Sequence, residues 1–115
     1  MRAVVKGIYS DVFDIEKDFP ENVENFSLSF RVRIGLESTR GADDFEVCIC
    51  TPNWLNDNIW DASWGRGLLI VRKYDFLTIK KLIHEYVSRC EGESWEAIVA
   101  QLDRVFLWEF DDYKS

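Results

Sequence analysis

The chain has 115 residues, 47% hydrophobic and 15% aromatic, enough to fill one core without disulfide or metal staples, so one domain over residues 1–115 is expected. Twenty-one acidic residues against fourteen basic ones give a net charge of −7, which disfavours direct nucleic-acid binding and favours a soluble protein or one with a basic partner. No stretch approaches the roughly 18 apolar residues of a membrane helix, and the N-terminus lacks a secretory pattern; no membrane association and a cytoplasmic location are expected.

Ala3–Tyr9 is β-rich and reads as a first strand. A weakly periodic connection follows from Ser10 to Asn25, carrying Asp11, Asp14, Glu16, Asp18, Glu21 and Glu24. Phe13, Ile15 and Phe19 are placed to pin it to the body. The strongest signal is next. Phe26, Leu28, Phe30, Val32, Ile34 and Leu36 alternate with small or charged residues, the period of a strand with one face on the core. A turn at Ser38–Gly41 reverses the chain, and Phe45, Val47, Ile49 and Thr51 alternate again, which predicts an antiparallel hairpin.

Cys48 and Cys50 then share one strand face, poorly placed to bridge each other. With Cys90 they are three cysteines, an odd number, and read as reduced thiols of a reducing compartment. Pro52 ends the pairing. Residues 52–67 read as irregular, with a helical turn at Asn53–Asn58 and three tryptophans: Trp54, Trp60 and Trp64. Gly67–Tyr74 is predicted to be a fourth strand.

Asp75 suits the N-cap of a helix over Phe76–Cys90. Its stripe is Phe76, Ile79, Leu82, Ile83, Tyr86, Val87 and Cys90, at spacings of three and four. Gly92 is expected at C′, and Ser94 at the N-cap of a second helix with Trp95, Ile98, Val99, Leu102, Val105 and Phe106 on one side. Trp108, Phe110 and Tyr113 are expected to dock back on the body. Strands followed by helices predict an α+β fold: an antiparallel sheet of about four strands covered by two C-terminal helices.

No catalytic set assembles from these residues. His84 stands alone on the wet side of a helix, which leaves neither a triad nor a His-based metal site. Phosphate-binding loops and nucleophile elbows are absent, so no catalytic residue, metal or cofactor is assigned. Paired carboxylates beside the tryptophans leave a small carbohydrate hydrolase as one alternative, and a general intracellular interaction module as another. The three tryptophans have two readings: core that closes the sheet end, or exposed anchors for a partner.

The segment Asp44–Leu55, with Cys50-Thr51-Pro52-Asn53-Trp54-Leu55 at its end, resembles the CTPxWL signature of the immunity protein 8 family, small proteins encoded beside bacterial polymorphic or contact-dependent toxins. Three further segments agree in order: Trp64-Gly65-Arg66-Gly67-Leu68-Leu69-Ile70-Val71, Ser94-Trp95 and Trp108-Glu109-Phe110-Asp111-Asp112-Tyr113. The Glu21-Asn22 … Asn25-Phe26 entry to the long strand fits as well, so the resemblance runs from about Val4 to Tyr113. It implies stoichiometric neutralisation of a cognate toxin C-terminal domain, without turnover. With the acidity, it points to a basic toxin, a nuclease being one such class. Trp60 and Trp64 are then the candidate anchors, and Asp57, Asp61, Glu109, Asp111 and Asp112 the candidate charges, with the Asp11–Glu24 connection as a second acidic surface.

Overall fold

A computed structural model describes residues 1–111. The order is β1 (Ala3–Ser10), β2 (Ser27–Leu36), β3 (Asp43–Cys50), α1 (Pro52–Asn58), β4 (Leu68–Ile70), α2 (Phe76–Ser88), α3 (Trp95–Leu102) and β5 (Leu107–Trp108). This is the expected α+β architecture. β1, β2 and β3 form an antiparallel meander in which Phe30 faces Val47 and Val32 faces Phe45.

The alternation in β2 and β3 does what period 2 demands. Phe30, Val32, Ile34, Phe45, Val47 and Ile49 are buried on one face. Ile79, Ile83 and Val87 of α2 and Ile98, Val99 and Leu102 of α3 meet them there. Each such side chain contributes about 1.5–3 kcal/mol by leaving water. Gly35 is required at the hairpin mouth, since a Cβ there would stand 2.1 Å from the Gly41 carbonyl oxygen. The opposite face of the sheet carries charge: Arg31 pairs with Asp11 at 2.7 Å, Arg33 with Asp44 at 3.1 Å, and the Ser29 hydroxyl donates to Glu46.

The helix caps are those read from the sequence. Asp75 accepts from the Thr78 amide and Ser94 from the Ala97 amide. Other boundaries differ. α2 stops at Ser88, and Gly92 does not take a positive φ; its amide bonds instead to the Met1 carbonyl. Val105 and Phe106 lie beyond the end of α3, and Phe106 is buried by the turn that follows. Phe19 is 72% exposed and meets the body in an edge contact with the Tyr74 ring.

The sheet is mixed rather than wholly antiparallel. β4 is shorter than its apolar run suggests and pairs parallel to β3, Cys48 opposite Leu68 and Cys50 opposite Ile70. A parallel return needs a crossover of a dozen residues or more, and residues 51–67, with α1 inside them, provide it. β5 pairs antiparallel with the same edge of β3 one step earlier, at Phe45 and Glu46. That edge therefore holds two short strands, one after the other along β3. Gly67 makes the approach possible, with φ +84 and Leu107 already 3.0 Å from where its Cβ would stand.

Candidate functional site

The segment after β3 begins on a fixed corner. Thr51 is completely buried and its hydroxyl accepts two amides, Phe26 at 3.2 Å and Trp54 at 3.3 Å. It thereby caps α1 and ties it to the start of β2, with Pro52 in the first turn, where a missing N–H costs nothing. Asn25 donates to Asp57 at 2.9 Å and Asn53 to the Glu24 carbonyl at 3.1 Å. These bonds bring exposed Asp57 together with the Glu21–Glu24 end of the acidic connection.

The three tryptophans separate in the structure. Trp54 is half-buried in α1, outside the main core cluster. Trp60 is 82% exposed and Trp64 97% exposed, in a loop that also exposes Ile59 and Asp61. The loop is held at its far end by Arg66, whose Nη1 donates to the Asp103 carbonyl (3.0 Å), Asp103 Oδ1 (3.1 Å) and the Phe106 carbonyl (3.3 Å). Asp111 lies 3.8 Å from the same nitrogen. Burial first, and then the hydrogen bond and charge of Asp111, push the Asp103 carboxyl above its ordinary pKa. Asp103 and Asp111 are a convergent carboxylate pair of the kind a hydrolase would need, but Asp103 Oδ1 also accepts the Trp108 amide. Asp103 thereby fastens two chain segments, Arg66 and Trp108, at the side of a shallow groove.

A second fastening point lies above it. Asp43 Oδ2 accepts the indole N–H of Trp95 at 3.0 Å and of Trp108 at 3.1 Å, joining β3, α3 and β5 through one carboxylate. Glu109 then exchanges two bonds with Asp44: its Oε1 accepts the Asp44 amide at 2.7 Å and its own amide donates to the Asp44 carbonyl at 3.0 Å. The candidate charges thus fall into two groups. Asp57 and Asp61 flank the exposed tryptophans, whereas Glu109 and Asp111 sit on the β3 edge beside Glu46 and Arg66. Asp112 and Tyr113 lie outside the described residues.

Sequence reasoning gave Arg66, Asp43 and Asn25 no role of their own, because the partners they bind are distant in the chain. Chemically, the arrangement offers aromatic and acidic surface. Among the described residues no group of His, Cys, Asp and Glu is placed to hold a metal ion. The His84 imidazole makes no hydrogen bond among the described residues, and burial followed by the nearby Lys80 charge lowers its pKa. All three cysteines are free thiols. Among the described residues no helix is long and apolar enough to cross a membrane.

Compared with known proteins, residues 3–113 match the family model described as immunity protein 8. No curated protein and no solved structure matches the chain.

Proposed function

We propose that this chain, which belongs to the immunity protein 8 family, neutralises a cognate toxin C-terminal domain by forming a one-to-one complex with it. It works without turnover, in the cytoplasm of the cell that the toxin would otherwise damage. The observation that carries the reading is Trp64, left 97% exposed on a loop secured at both ends. Covering a Trp withdraws about 150–250 Å² from water, a gross gain of about 4–6 kcal/mol. Anchors of this kind typically lose about 2–4 kcal/mol on truncation to alanine. Pre-fixing the loop through Thr51 and Arg66 reduces the ordering cost of docking.

Charge supplies the second part of the proposal. Asp57 and Asp61 beside the anchors and Glu109 at the neighbouring edge suit a basic toxin surface, whereas both Asp111 carboxylate oxygens are buried beside Arg66; Asp112 stays a candidate charge from the sequence alone. A nuclease fits best, since its substrate cleft must be cationic. Such steering raises association rates by about 10–10³-fold at low salt.

Titrating the toxin's activity with the chain tests this reading. Inhibition should be complete at one equivalent; inactivation by a small fraction of an equivalent would reveal turnover and overturn it. Competition with a short substrate analogue then separates the modes, simultaneous binding meaning that the toxin's active site is left open.

A further inference from the structure

The other side of the molecule presents a different surface. β1 ends the sheet: β2 pairs with one of its edges, and among the described residues no strand pairs with the other. Alternation along an antiparallel strand decides which peptide groups face outward. The Arg2 carbonyl turns inward to the Glu37 amide at 3.0 Å, and the Ala3 amide outward to the Cys90 carbonyl at 3.1 Å. Counting through the bulge between Val5 and Gly7 points the Val5, Ile8 and Ser10 peptide groups away from β2. A free row of this kind is a template for another strand unless something guards it. β1 has no proline, and Lys6 sends its ammonium to the Thr39 carbonyl at the hairpin turn. Gly7–Ser10 is thus an open run beyond the bulge.

This edge is one wall of a groove of about 680 Å³, whose other walls are α2 and the Phe13–Glu16 segment. A neighbouring groove shares Glu16, Phe76 and Lys80 with it and carries Phe19 and Leu77, which are 72% and 77% exposed. Apolar surface and an unpaired strand edge are therefore continuous.

Charge selects the occupant. Lys6, Lys80 and His84 line the groove together with Asp14 and Glu16, a locally balanced patch on a chain of net charge −7. A cationic toxin gains no attraction here. An isologous contact, by contrast, requires both signs within one patch, because each copy presents the same residues. Lys80 and Glu16 lie together where the two grooves meet, so a two-fold pairing of β1 strands sets the lysine of each copy near a carboxylate of the other.

We propose that two copies of this chain associate edge to edge through β1, joining their sheets into one across a two-fold axis. This is independent of the toxin reading, and its test uses the chain alone. Sedimentation equilibrium should give twice the 13.6-kDa chain mass. Ser10→Pro removes an outward amide without touching the β2 ladder, and Lys80→Glu makes the groove acidic while leaving the backbone alone. Each should weaken the dimer at least tenfold with unchanged far-UV dichroism, and Glu16→Lys should restore association to the Lys80→Glu variant. If the proline variant does not fold, the charge pair still decides. A wild-type chain that stays monomeric at millimolar concentration overturns the proposal, as does a dimer that neither substitution weakens. So does a monomer whose two variants lose toxin binding, since the edge would then receive a strand of the toxin.

Discussion

Asp43→Ala should loosen the β3 edge more than any other single truncation of an exposed or half-buried carboxylate in this protein. The wild-type side chain accepts two indole N–H groups on one oxygen. Hydrogen bonds to a charged acceptor contribute about 1.5–3 kcal/mol each. Both indoles are half-buried, so water recovers part of what is lost, and the expected destabilisation is about 3 kcal/mol. For a domain of this size that lowers the midpoint of thermal unfolding by roughly 10–20 °C. Asp43→Asn keeps an oxygen in place but not its charge and should cost about 1 kcal/mol. Urea unfolding followed by tryptophan fluorescence and far-UV dichroism measures both. Amide exchange should also quicken at Asp44 and Glu109, the bonds that hold the acidic C-terminal segment to the sheet. An alanine variant within about 0.5 kcal/mol of wild type, the range of ordinary surface changes, would refute the fastening role and leave the position of Glu109 unexplained.

Three other perturbations follow from the same geometry. Thr51→Val removes a helix cap and leaves the buried Phe26 amide without its acceptor, so urea unfolding should show a loss of about 2–3 kcal/mol, most of it recovered by Thr51→Ser. Burial first, then the charge and hydrogen bond of Cys48, push the Cys50 thiol up to about 11; in a thiol-labelling time course at neutral pH half-buried Cys48 should react first, and Cys50 and Cys90 only on unfolding. Burial, and then the Asp14 and Asp18 charges, raise Tyr74 from 10.0 to about 12. The folded chain therefore holds that proton after the unfolded chain has lost it, and stability should fall as pH rises from 10 to about 12. Tyr74→Phe, which forfeits the bond to the Ile15 carbonyl, should flatten this part of the pH–stability curve.

What could be read from the sequence was what local chemistry determines. β2 and β3 follow from strict alternation, and the caps at Asp75 and Ser94 follow from a side chain three residues from the amide it accepts. The parallel pairing of β4 could not be read this way. An apolar run such as Leu68–Val71 satisfies either strand direction, and only the crossover through α1 selects one. Arg66 and Asp43 were hidden for a related reason: their partners lie 37 residues away in one case and 52 and 65 in the other. The tryptophans were ambiguous because an aromatic run fits a core as well as an interface. In the structure they differ in exposure: beyond the corner at Thr51, Trp54 is half-buried, whereas Trp60 and Trp64 stand in solvent. The motif that carried the family resemblance is in this respect scaffold: its Thr51 and Pro52 build the corner from which the exposed loop departs.

The most direct test of the central claim is the affinity of the chain for the toxin domain encoded beside it, measured with wild type and with Trp64→Ala. The account predicts a one-to-one complex whose association rate falls steeply with salt. Trp64→Ala should weaken it by about 2–4 kcal/mol, roughly 30- to 1,000-fold, while leaving the unfolding midpoint unchanged, because the side chain is 97% exposed. A toxin that does not bind, or one bound equally well by the Trp64 variant with a rate indifferent to salt, would contradict it.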